Sequence, residues 1–173
     1  MANEDDRSFF TIINRLRMRK YFLSLAFVCM AYTSLNAQAS NHNQQAKIHQ
    51  TLNRFFDGFS ALDTSIIRQS ITKDFVLLED GVVWNMDSIQ ANFVLVKNQI
   101  KDAIMKRVNH FDIIQTEITG NSAYVAYNNT ANISLNDMPV AKLNWLESAF
   151  LVKEGNDWKI VLLHSTTLKP GKQ

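Results

Sequence analysis

The chain has 173 residues, with 18 Lys and Arg against 16 Asp and Glu. Five of the basic and three of the acidic residues precede Ser40, so the remainder carries 13 of each, a balance that excludes the basic footprint of a nucleic-acid-binding domain. The single cysteine, Cys29, lies in the same leading segment, leaving the rest without disulfide or thiol chemistry and reliant on an apolar core. About 130 residues suffice for one such domain and are too few for two.

Arg17-Met18-Arg19-Lys20 supplies a basic start, Tyr21 to Leu35 an uncharged apolar run, and Ala37-Gln38-Ala39 a small-x-small cleavage pattern. The run is shorter than the roughly 20 residues a spanning helix needs. Residues 18–39 therefore read as a secretory signal cleaved after Ala39, which predicts export to the periplasm or medium and no membrane attachment afterwards. A start at Met18 leaves residues 1–17 as an upstream extension outside the translated product. Lipid attachment at Cys29 is disfavoured by the large Val28 before it and by apolar sequence continuing to Leu35.

Residues 40–46 are polar and read as a flexible tether to a single domain over 47–169. Ile48, Leu52, Phe55, Phe56, Phe59 and Leu62 recur on one helical face. Asp63-Thr64 caps a shorter helix with Ile66, Ile67 and Ile71. Phe75 to Leu78 and Val82 to Trp84 flank Glu79-Asp80-Gly81, a hairpin signal. Asn85 precedes a third helix with Met86, Ile89, Phe93, Val96 and Ile100 on one side. Four long strands follow, at Lys106 to Ile118, Ala123 to Leu135, Val140 to Lys153 and Trp158 to Leu168. Their connections are of hairpin length, so the sheet is expected to be an antiparallel meander. Helices followed by strands predict an α+β fold, a curved antiparallel sheet wrapped around the N-terminal helices, with Phe55, Phe56 and Phe59 in its concavity.

This order resembles the cone-shaped fold of the nuclear transport factor 2-like superfamily, in particular its SnoaL-like group of largely unknown function. Asp157-Trp158-Lys159-Ile160 running to His164-Ser165-Thr166 carries most of the likeness, together with Asp74 to Gly81 and the helix containing Ile89. The likeness spans roughly residues 46–168. It implies a conical pocket between helices and sheet, and a homodimer through the outer sheet face. Relatives include isomerases, cyclases, dehydratases, epoxide hydrolases and non-catalytic binding modules, so the fold does not choose a function. Many relatives carry Gly after the first hairpin, where this chain has Trp84-Asn85; Asn is the residue that best replaces Gly at positive φ.

No catalytic motif stands out, and the candidates are single residues. His164 is in strand phase with Trp158, Ile160 and Leu162, as a pocket acid, base or anchor, or as a hydrogen-bonded core histidine. Glu147 shares a face with Trp145, Ala149 and Leu151. If that face is concave its pKa rises and it can shuttle a proton; if convex, it is solvated or at a dimer rim. Asp80 falls where the resemblance places the base of steroid isomerases, yet Asp-Gly at a tight turn needs no catalytic explanation. Phe55, Phe56 and Phe59 occupy the region where those enzymes need strong donors, which counts against an isomerase. His110 with Asp112, and Tyr127 with Asn129, form either a polar wall or the wet side of the sheet. His42 and His49 read as exposed. No H-x-H or H-E-x-x-H spacing, phosphate loop or G-x-S-x-G occurs, so neither metal nor cofactor is predicted.

The expected function is binding of a small apolar or amphipathic molecule by Phe56, Phe59, Trp84, Tyr127, Trp145 and His164. The alternatives are a lyase- or isomerase-type enzyme using His164 or Glu147, and an interaction domain whose cone is filled by its own side chains.

Overall fold

The computed structural model describes residues 41–169. Residues 41–61 form helix α1. It is followed by α2 (Thr64–Arg68), β1 (Ile71–Glu79), β2 (Val82–Trp84), α3 (Met86–Ile100), β3 (Met105–Thr119), β4 (Ser122–Leu135), β5 (Met138–Glu154) and β6 (Asp157–Thr167). The described residues from Gln44 to Lys169 belong to one compact unit. The signal-peptide reading falls on residues outside those described. The tether expected over 40–46 is replaced, from residue 41, by the first turns of α1. Gln44 Oε1 accepts a 2.9 Å hydrogen bond from Trp158 Nε1, which fastens that part of the helix to β6.

The six strands form one open sheet in the order β2-β1-β6-β5-β4-β3. The hairpins obey their turn residues. Asp80-Gly81 and Asn136-Asp137 have positive φ, the conformation a two-residue hairpin loop requires. One pairing departs from the expected meander, because β1 and β6 run parallel. No hairpin links them; the chain passes through β2, α3 and three strands between the two, so their relative direction is not set by a turn.

Ile48, Leu52, Phe55 and Phe56 of α1, Ile89 and Phe93 of α3, and the inward residues of the sheet share one core. Fully burying a large apolar side chain contributes roughly 1.5–3 kcal/mol. Aromatic rings dominate: Phe55 meets Phe75 at 5.5 Å between centroids, Phe56 meets Phe111 at 5.2 Å, and Phe59 meets Phe93 at 5.2 Å. Asn85 has an extended φ of −118° and is the N-cap of α3, its Oδ1 accepting from the Ser88 amide at 3.0 Å. The Asn is therefore there as a cap and not as a stand-in for glycine at positive φ.

Gly58 lies in the last turn of α1, where α2 folds back against it. A Cβ there would collide with Ile67 Cγ1 and lie 3.0 Å from the Ile67 nitrogen and 3.1 Å from the Asp63 oxygen. Gly→Ala inside a helix ordinarily stabilises by up to about 1 kcal/mol. At position 58 the sign reverses: Gly58→Ala is expected to destabilise by about 1–3 kcal/mol, since backbone must shift to relieve the overlap. A denaturant melt with an unchanged or higher midpoint would refute this.

Candidate functional site

Strand register sets a polar row across the concave face of the sheet. Glu79 of β1 lies opposite Ser165 of β6, Ser165 opposite Glu147 of β5, and Glu147 opposite Tyr127 of β4. A β-bulge creates this row. Leu151 pairs with Ile160 but Phe150 pairs with Leu162, so Val161 is an extra residue in β6. Side-chain phase flips at that point. Trp158 and Ile160 face inward before the bulge, Leu163 and Ser165 after it.

The flip corrects the position expected for His164. It lies on the outer face, exposed, paired with Leu78 and Ser148, and Leu162 shares that face. Glu147 takes the inward place. Its side chain is buried, Ser165 Oγ donates to Oε1 at 3.1 Å, and Asn129 Nδ2 donates to Oε2 at 3.2 Å. The Tyr127 hydroxyl is close enough for each group to raise or lower the other's pKa, yet it has no hydrogen-bond partner, and neither has Asn129 Oδ1. Burial pushes the Glu147 carboxyl up to about 7, against the pull of its hydrogen bonds. The Tyr127 hydroxyl is raised too, first by burial and then by the neighbouring Glu147.

Arg107 of β3 completes the arrangement. Its guanidinium carbon lies 5.3 Å from the centre of the Trp145 ring and 5.7 Å from that of Phe59, within cation–π range of both. Its Nε donates to Asn109 Oδ1 at 3.1 Å. Burial lowers the Arg107 pKa while Glu147 and Glu79 raise it; a guanidinium stays charged under such a shift. Burial raises the Glu79 carboxyl, Asp80 adds to the rise, and Arg107 opposes it.

Phe55, Phe56, Phe59 and Trp145 form the apolar walls of a cavity into which Glu79, Arg107 and Glu147 project. Its volume is about 40 Å³, room for little more than one or two waters and far below the roughly 300 Å³ of a drug-sized pocket. The aromatics of α1 fill the hollow beside Glu147, while a wider cleft of about 340 Å³ opens between α1 and β3, lined by His49, Leu52, Asn109 and Phe111.

Of the residues expected to line a pocket, Phe56, Phe59 and Trp145 do so together. Tyr127 is fully buried behind them, packed on Phe56 and Phe111. Trp84 lies elsewhere, lining a shallow groove with Val82, Val83 and Leu95 between β2 and α3. Asp80 is an exposed turn residue, its two carboxylate oxygens accepting from the Thr167 nitrogen at 2.8 Å and hydroxyl at 2.6 Å. That engagement lowers its pKa and makes it a clamp on β6 in place of a base. His110 and Asp112 are on the exposed face of β3, whereas Asn129 is on the inner face of β4. His49 is partly buried and bonded to Thr116 Oγ1 at 2.9 Å. Arg107, Glu79 and Ser165 belong to the site and do not stand out from sequence. The usable signal was their strand phase, Arg107 with Phe111 and Ile113, and Ser165 with Leu163 beyond the bulge.

The helices, the curved open sheet and the cone between them have counterparts among solved structures. Its fold is NTF2-like. An NTF2-like protein from Cytophaga hutchinsonii superposes with a TM-score of 0.57 at 12% identity, over 72% of this chain and 98% of that one. A ketosteroid isomerase-like protein from Erwinia carotovora gives 0.54 at 16% identity, over 72% and 96%. A protein of unknown function with a cystatin-like fold from Nostoc punctiforme gives 0.53 at 14%, over 73% and 92%. No family model matches the chain, and no curated protein matches it.

The raised Glu147 pKa has a signed consequence. An acid whose pKa is higher folded than unfolded favours the native state while protonated. That contribution is intact below the ordinary value of 4.5 and is lost as pH rises to about 7, a difference on the order of 3 kcal/mol. Glu79 acts in the same direction, and His49, whose pKa is lowered by burial, in the opposite one. Stability is expected to decline from pH 5 to pH 8, and Glu147→Gln to flatten that decline. A variant keeping the wild-type slope in thermal melts across this range would contradict the assignment.

Proposed function

We propose that this chain is an exported, homodimeric small-molecule-binding domain whose ligand is small and hydrogen-bonding, held at the Glu147–Arg107 niche. The observation that carries the reading is Glu147 itself. A buried carboxylate costs several kcal/mol to desolvate, and its inward face could have been filled with apolar side chains at no such cost. The 40 Å³ volume rules against a bulky apolar ligand without rearrangement. A tetracyclic substrate of the kind suggested by the name of the Erwinia neighbour would need several hundred Å³. The same small volume supports the rival reading of an interaction domain with a filled cone, which predicts no ligand at all.

A second reading is favoured by one observation: Glu147 titrates near neutrality and shares its cavity with Glu79 and Arg107. A carboxyl tuned to the working pH beside a fixed cation is suited to moving a proton to or from a bound molecule, in a lyase- or isomerase-type reaction.

Export rests on the basic, apolar and Ala37-Gln38-Ala39 regions of the leader. Dimerisation is supported by the outer sheet face. Tyr124, Leu146 and Phe150 remain 41%, 47% and 42% exposed there, beside Leu162 and Leu78, with Ser148 and the exposed His164 between them. A two-fold interface needs one self-complementary patch, and a largely apolar face supplies it.

Native mass spectrometry of the chain from Ser40 tests these parts together. A dimer carrying a small adduct, on the order of 100 Da or less, is expected, with the adduct lost in Glu147→Gln. Phe150→Lys is expected to give a folded monomer. A monomeric wild type would end the dimer proposal, and an adduct-free protein that takes up no ligand in any screen would leave the filled-cone reading standing.

A further inference from the structure

The charge balance of the niche narrows the ligand further. Two carboxylates, Glu79 and Glu147, and one guanidinium, Arg107, face a desolvated cavity walled by aromatic rings. With both acids ionised the set carries one net negative charge. An anionic ligand would raise that to two in a poorly hydrated space, where each unpaired charge is costly. A cation would pair with the carboxylates and keep the balance as it stands when it takes the place of Arg107. The walls agree with the charge, because Phe59 and Trp145 already hold a cation between them in cation–π geometry. Acceptors gather here as well: Asn129 Oδ1 has no donor, and Glu147 accepts from Ser165 and Asn129, with the Tyr127 hydroxyl beside it.

Building on the small-molecule reading above, we infer that the ligand of this niche is a small organic cation, an alkylammonium or guanidinium group, and that the Arg107 guanidinium stands in its place. Arg107 is suited to yield. It projects from β3, an edge strand, on a side chain with four rotatable bonds, is only partly buried, and has its one side-chain hydrogen bond to Asn109 on the same strand. When it swings outward, the aromatic walls and both carboxylates are left facing space vacated by a cation. Arg107 thus acts as a built-in competitor that sets how tightly an external cation binds.

Three probes of similar size and different charge test this: tetramethylammonium, tert-butanol and pivalate, titrated calorimetrically into wild type, Arg107→Met and Glu147→Gln. Tetramethylammonium is expected to bind weakly to wild type, at least tenfold more tightly to Arg107→Met, and at least tenfold more weakly to Glu147→Gln. Its affinity for wild type should rise about tenfold from pH 6 to pH 8 as Glu147 ionises, with Glu79 acting in the same sense and Tyr127 remaining neutral. Pivalate binding that disappears in Arg107→Met would overturn the inference and make Arg107 an anion anchor, leaving the binding niche intact. Equal binding of tert-butanol and tetramethylammonium would overturn it as well, since charge would then play no part. No binding of any probe to any variant would overturn both the inference and the reading beneath it. Should Arg107→Met fail to fold, the contrast of the three probes between wild type and Glu147→Gln decides the matter.

Discussion

Packing of the aromatic face of α1 into the hollow of the sheet is the constraint on which the rest depends. An NTF2-like sheet is open at both edges and curved, and something must fill its concave side. Here Phe55, Phe56 and Phe59 interlock with Phe75, Phe93 and Phe111 and leave a residue of about 40 Å³. Interiors pack to the density of organic crystals, so the space left is a matter of which side chains are present and not of looseness. Because so little remains, the identity of the few groups that border it carries more chemical information than its shape.

Those groups form a system in tension. Glu147 is kept inward by two hydrogen bonds, yet its carboxyl is pushed to neutral titration by burial. Arg107 relieves part of this and is itself held by ring faces as well as by charge. Tyr127 and Asn129 each keep one buried polar atom without a partner, which is uncommon in native proteins and marks a place worth explaining.

Much of the architecture was legible in the sequence because it depends on local rules. The helical spacing from Ile48 to Leu62 and the Asp80-Gly81 and Asn136-Asp137 turns each follow from neighbouring residues, whereas Asn85 reads from sequence as a substitute for glycine and is a helix cap. The site was less legible. An unbroken alternation runs through Trp158, Ile160, Leu162 and His164, and nothing local announces the extra residue at Val161 that reverses it. Pairing with β5 decides that register, and with it whether His164 or Ser165 faces Glu147. The same limit applies to Arg107: a lone basic residue on a strand reads as solvated until Trp145, some forty residues later, is folded above it. The parallel union of β1 with β6 was hidden for the same reason.

That union also bears on how the domain comes to be folded. Ile71 pairs with Ile160, so the strand nearest the start of the sheet waits for roughly ninety further residues before its principal neighbour exists, and contacts of such long sequence separation form slowly. A nascent chain can build the β3–β4–β5 meander early but cannot close the layer against α1 until β6 emerges. An intermediate of that kind would present Phe75 and Leu77 uncovered, a surface that invites aggregation or a chaperone. The delay would equally suit a polypeptide that has to stay unfolded while it is moved.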